Sequence, residues 1–160
     1  MNIDEINRLS APDFVDRLGG IFEGSPWVAE RAWAHGPFAS LDALHAAMVA
    51  EVQHASTKEQ LALLRAHPDL GARAKMSEAS VGEQAGAGLD RLTPEEFEEL
   101  TRLNAGYRDE FGFPFLLAVR GCTKDDILKS LRERAGGRRD QEFQTALQQV
   151  FRIARIRLEG

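Results

Sequence analysis

Residues 93–112 read TPEEFEELTRLNAGYRDEFG, and their punctuation decides the fold. Thr93 is an N-cap type, able to accept a first-turn amide. Pro94 follows at the first helical position, where its missing N–H costs nothing. Glu95 and Glu96 face the positive end of the helix dipole. Phe97, Leu100, Leu103 or Asn104, and Tyr107 then recur at helical spacing and predict an inward stripe. Gly112 supplies a C-terminal glycine.

The same grammar repeats on both sides. Ser10, an early proline and Asp13 start a segment that Gly19 and Gly20 close. Ser25 and Pro26 open another. Ser40 begins a longer helix with Leu41, Leu44, Met48 and Val52 on one face. Thr57 and Gln60 have capping-box spacing for a helix predicted to end at His67. TKDD at 123–126 starts a further helix, and Gly136 and Gly137 end it. The last helix is expected over about Arg139–Leu158. The prediction is an all-α protein, one compact domain over residues 1–160, with roughly seven or eight helices and no repeats.

At 160 residues the chain supports one domain with a full core. Its 43% hydrophobic and 28% charged residues are those of a soluble globular protein. A net charge of −5 argues against nucleic acid as a partner, since phosphate binding needs a basic surface. Apolar runs are no longer than FLLAV, far below the roughly 20 residues of a membrane span. The start, MNIDEINRLS, lacks the apolar stretch of a secretory signal. The single Cys122 fits a reducing compartment, and RLEG at the end is no peroxisomal address. A cytoplasmic location is expected.

Two stretches break the helical rhythm and are expected to be irregular. One is GARAKMSEASVGEQAGAGLDRL at 71–92, rich in Gly, Ala and Ser. The other is FGFPFLLAV at 111–119. Such segments leave backbone groups available for binding.

Four features there and beside them could carry chemistry. His67 precedes Pro68, which disfavours helical geometry at the residue before it and predicts an extended, fixed histidine. With Asp69 two residues on, it reads as a proton-transfer group or as a plain helix terminus where a cation meets the dipole. Ser80, Glu83 and Gln84 offer donors and acceptors for a small polar heterocycle, or Ser80 and Glu83 form a capping box. FGFPF reads as a pocket wall with free backbone amides, or as core. On the last helix Phe143, Leu147, Val150 and Ala154 are spaced so that Arg157 falls on the same apolar stripe. An arginine there needs an anion, from the protein or a ligand, or it snorkels from the helix end. The expectation is a substrate partner, so that Arg157→Gln folds almost normally. The four histidines are scattered, with no His-x-x-x-His pair and no cysteine cluster, so no metal site is expected.

HPDLG at 67–71, SxxEQxxAGLD from Ser80 to Asp90, LNAGYRDEFGFPF from Leu103 to Phe115, and IARIRL near the end together resemble the OHCU decarboxylase family. FEGSPWVAERAW near the start is similar to that family's early segment. The resemblance implies an all-helical, cofactor-free lyase, a homodimer, acting on 2-oxo-4-hydroxy-4-carboxy-5-ureidoimidazoline (OHCU) in urate degradation and giving (S)-allantoin. It implies that His67 transfers the proton and that Glu83 assists. Pro68, Ser80, Gln84, Phe115, Leu117, Ala118 and Val119 match its substrate-contact segments, and Arg157 its substrate-binding arginine. No attached hydroxyisourate hydrolase-like domain is expected. The substrate carries its leaving carboxylate beside a ring C=N, which accepts the electrons freed by CO2 loss, so neither pyridoxal, thiamine nor metal is required. Glu83 would either hydrogen-bond the substrate hydroxyl or repel the nearby carboxylate. The alternative is a helical interaction module that keeps the fold without the chemistry.

Overall fold

The computed structural model describes residues 1–71 and 78–160, the side chains of 78–81 excepted. Among the described residues there are nine α-helices, two single-turn 3-10 helices and no strand. The fold is all-α, as expected. Two helices lie outside the sequence pattern. The first, α1 (Ile3–Asn7), is a single short turn capped by Asn2, whose side chain accepts from the Asp4 and Glu5 amides. The other is α6 (Glu78–Gly86), within the stretch expected to be irregular.

The chain gathers into two compact units: Met1–Ala66 with Phe151–Gly160, and His67–Val150. The first holds α1, α2 (Ala11–Leu18), α3 (Trp27–Ala32), α4 (Leu41–Gln53) and α5 (Thr57–Arg65). Ser10 caps α2 and Ser40 caps α4, each accepting from the amide three residues on. The start of α3 differs from expectation: Pro26 occupies the cap position, and the Ser25 hydroxyl donates instead to the Glu23 carbonyl at 3.3 Å. The capping box of α5 is Ser56 with Glu59, one residue before the Thr57–Gln60 pair. Gln60 is otherwise engaged, its amide donating to the Val52 carbonyl at 2.9 Å. Phe14, Leu18, Val28, Leu44, Met48, Leu63 and Leu64 are buried in this unit. Each such side chain contributes about 1.5–3 kcal/mol by leaving water.

The second unit holds α6, α7 (Pro94–Phe111) and α8 (Lys124–Arg134). Thr93 and Glu96 form the box that starts α7, and Thr123 and Asp126 the one that starts α8. The inward stripe of α7 is Leu100, Asn104, Tyr107 and Phe111. Asn104 rather than Leu103 takes the inner position, and Phe97 is only half buried. Gly112 ends α7 at φ 81°, a left-handed conformation that only glycine adopts cheaply. The long α9 (Arg139–Glu159) contributes residues 139–150 to this unit and 151–159 to the other.

Candidate active site

His67 stands two residues beyond α5, whose last residue is Arg65 rather than His67 itself. It is 5% exposed, and its Nε2 is shut off from solvent. Pro68 and Asp69 are half buried, and Leu70 is buried. Three polar contacts hold the turn that follows. Arg108 Nη2 donates to Asp69 Oδ1 at 2.7 Å. The Asn104 amide donates to the Leu70 carbonyl at 2.9 Å. The Gly71 N–H donates to Gln84 Oε1 at 2.8 Å. Gly71 has φ 73°, and a Cβ there would sit 2.5 Å from Leu100 Cδ2, so both conformation and space require glycine.

The Gly71–Gln84 bond joins this corner to α6. Gln84 is 7% exposed. Glu83 is half buried on the adjacent helix position, about 100° around the axis. Ser80 and Glu83 both lie inside α6, which begins at Glu78, so the capping-box alternative for them is overturned. The Ser80 side chain lies outside the described part of the structure. The helix forms through Gly82 and Gly86 despite their poor propensity. Local propensity is a weak prior, and here the helix wins over it.

Of the 111–119 stretch expected to be irregular, Phe111 is the last residue of α7 and Gly112 its cap, while 113–119 is irregular and almost wholly buried. Phe113, Phe115, Leu116, Ala118 and Val119 are all at most 7% exposed, while Leu117 is half buried. Tyr107 lies at its centre, with ring centroids 4.5 Å from Phe111, 6.0 Å from Phe113 and 5.5 Å from Phe115. Such tilted and edge-on pairs add roughly 0.5–1.5 kcal/mol each beyond area burial. The segment is thus core and wall at once. Its amides are not all free: the Ala118 N–H donates to Gln149 Oε1 at 2.9 Å.

A buried ion network braces the same segment. Arg134 Nη1 donates to the Leu116 carbonyl at 2.7 Å, and its guanidinium lies 4.5 Å over the Phe115 ring. Its Nε donates to Glu142 Oε1 at 2.9 Å. The Tyr107 hydroxyl donates to the same carboxylate oxygen at 2.6 Å. Burial first, and the bond to Glu142 second, push the Tyr107 phenol well above its ordinary ionisation range.

Arg157 lies in the first unit and points inward, its side chain 6% exposed. It does have a protein carboxylate partner: Nη1 is 3.0 Å from Glu23 Oε1, and it also donates to the Gly20 carbonyl at 3.0 Å. Glu23 is itself buried. Where a substrate partner was expected for Arg157, the structure shows a protein carboxylate.

Sequence reasoning missed Glu23, Arg134, Glu142 and Gln149 as supports. Only Asn104 carried a signal, being an amide in a stripe slot spaced like Leu100, Tyr107 and Phe111. Among the described residues no three His, Cys, Asp or Glu side chains gather as a metal ion would need, and no helix is long and apolar enough to cross a membrane.

Known proteins resemble this chain in sequence and fold. A 2-oxo-4-hydroxy-4-carboxy-5-ureidoimidazoline decarboxylase of Halalkalicoccus jeotgali is 48% identical over 159 residues, spanning 99% of this chain and 90% of its own. A crystal structure of (S)-allantoin synthase superposes with a TM-score of 0.79 at 36% identity; it covers 99% of this chain, which spans 53% of that longer one. A crystal structure of OHCU decarboxylase determined in the presence of (S)-allantoin gives 0.72 at 25% identity, over 86% of this chain and 92% of that one. The family model described as OHCU decarboxylase matches residues 7–159, and the chain belongs to that family.

Proposed function

We propose that this protein decarboxylates OHCU to (S)-allantoin and CO2, as a carboxy-lyase of urate degradation. The observation that carries the reading is the placement of His67, buried on a corner that the Gly71–Gln84 bond ties to α6, in a chain of the OHCU decarboxylase family.

The reaction breaks the bond from a ring carbon to its carboxylate. CO2 leaves, and the electron pair flows into the adjacent ring C=N. The ring nitrogen that received the pair takes up a proton from solvent, and the enol-like species gains a proton on carbon as its hydroxyl gives one up to become the carbonyl. The substrate is its own electron sink, and the protein's tasks are to hold one conformer and to manage protons on one face. His67 accepts or shares the hydroxyl proton and delivers one to carbon; imidazole suits both steps near neutral pH. Glu83 bonds the substrate hydroxyl or disfavours its carboxylate. Ser80 and Gln84 on α6 supply polar contacts. Pro68, Phe115, Leu117, Ala118 and Val119 supply the wall, with the Leu117 and Val119 backbone toward ring and ureido oxygens. Arg157 takes a substrate oxygen, with Glu23 fixing the plane of its guanidinium. Residues 1–160 act as one functional domain, in the cytoplasm, as a homodimer of twice the 17.7 kDa chain mass.

The substrate decays to allantoin unaided, so product alone is no proof. Freshly oxidised urate is the assay substrate, and circular dichroism of the product is the readout. Excess (S)-allantoin formed faster than in the enzyme-free control is expected. A racemic product at the uncatalysed rate rejects the assignment.

A further inference from the structure

We propose that Asn104 is a positioning residue for His67, acting through the Leu70 carbonyl; the proposal rests on the decarboxylase reading. Asn104 is 5% exposed on the inner stripe of α7, where its neighbours are Leu100, Tyr107 and Phe111. An apolar side chain would serve packing better. A buried amide costs free energy unless both its ends are bonded. Here only one end is: Nδ2 donates to Leu70 O, while Oδ1 is buried with no hydrogen-bond partner among the described residues. Core stability therefore does not account for an asparagine at this slot. What it supplies is one directed bond to a backbone oxygen three residues from His67.

The corner gives that bond leverage. On its N-terminal side Ala66 is fixed as the C-cap of α5, its N–H bonded to the Ala62 and Leu64 carbonyls. On its C-terminal side residues 69, 70 and 71 are each held by a side chain. Pro68 has no φ freedom and narrows the choices of His67. Where the 69–71 turn is pinned therefore bears on where the imidazole sits. Of the three pins, Arg108–Asp69 is partly exposed, at 44% and 34%, and is weakened by solvent. Gln84 belongs to the proposed substrate contacts. Asn104–Leu70 is buried and outside the reacting groups. The left-handed Gly71, pressed on Leu100, keeps the turn against α7 at that point.

Asn104→Leu keeps the stripe apolar and removes the donor. Asn104→Asp keeps the shape and turns an acceptor on the carbonyl. Both are expected to lower kcat by about 10²-fold, the scale of a 1 Å misplacement, with KM little changed; because the leucine variant also leaves the Leu70 carbonyl without its donor, kcat is read on the folded fraction, well below its melting temperature. In a His67→Asn background Asn104→Leu is expected to cost nothing more, since its effect runs through the imidazole. A role in folding alone would give losses that follow melting temperature and add to those of His67→Asn. A second readout needs no turnover. The His67 ring resonances, assigned by their loss in His67→Asn, are expected to shift in either Asn104 variant. Unmoved His67 resonances, wild-type kcat in Asn104→Leu, or additive losses each overturn the proposal. Failure of the decarboxylase reading shows separately, as racemic product from the unmodified enzyme.

Discussion

The His67–Gly71 corner and the Phe113–Val119 segment are both irregular and both belong to the same compact unit, yet they are held by different physics. The corner is pinned by three directed polar bonds, one to each of residues 69, 70 and 71. The 113–119 segment is enclosed by aromatic rings and braced by a buried Arg134–Glu142–Tyr107 network. Directed bonds fix where a group sits while adding little net stability, because water offered similar bonds before folding. Packing and buried charge fix stability strongly. The corner is built for placement and the segment for cohesion.

That contrast is broken most sharply by His67→Asn. If the corner serves placement of a proton-transfer group, turnover falls by roughly 10²–10⁴-fold while thermal unfolding barely moves. Steady-state kinetics beside a melting curve decide it. Near-normal turnover returns His67 to a helix-terminus role, whose loss would cost only about 0.3–1 kcal/mol.

Glu142→Ala tests the opposite pole. It leaves the Arg134 guanidinium buried without its carboxylate, both side chains being at most 13% exposed. A stability loss of about 3–5 kcal/mol is expected from urea unfolding. The folded fraction should keep far more turnover than His67→Asn does. A loss below about 1 kcal/mol would show that the segment does not depend on its ion network.

The gentlest probe is Tyr107, the only tyrosine in the sequence. Its folded-state pKa is raised, by burial first. The unfolded chain gives up the phenol proton near pH 10, before the folded one does. Stability from this group is thus fully present below about pH 10 and is lost as pH rises beyond it. A spectrophotometric titration should show no phenolate band at the ordinary pH, and a band appearing with alkaline unfolding. A normal titration of the native protein would mean that the network is open to water.

What the sequence made legible follows the same division. Helix starts with local signatures were readable, because Thr93, Pro94 and Glu96, or Thr123 and Asp126, carry their own instructions within four residues. Where two cap types adjoin, as at Ser56 and Thr57, the pattern alone does not choose; Gln60, bonded to the Val52 carbonyl, makes the choice. His67, Glu83 and Gln84 stood out through short motifs and a family resemblance. Their supports did not. Arg134 and Glu142 look like surface charges in the sequence and become buried partners only through contacts spanning 8 to 35 positions. Glu23 meets Arg157 across most of the chain length. Long-range pairs of this kind leave no local trace.

The helix that forms through two glycines has a consequence for motion. In α6 a Cβ on Gly82 or Gly86 would meet nothing within 4 Å among the described residues, so none of these requires a glycine there. Each weakens the helix by roughly 0.5–1 kcal/mol relative to alanine. Its nine residues lack the length to be stable alone. The helix bearing Glu83 and Gln84 therefore opens at a lower free energy than α7, and its amides should exchange with deuterium well before the global unfolding limit. The two proposed catalytic residues thus belong to elements of different expected stability, His67 to a corner held by three polar contacts and Glu83 to a short helix carrying two glycines.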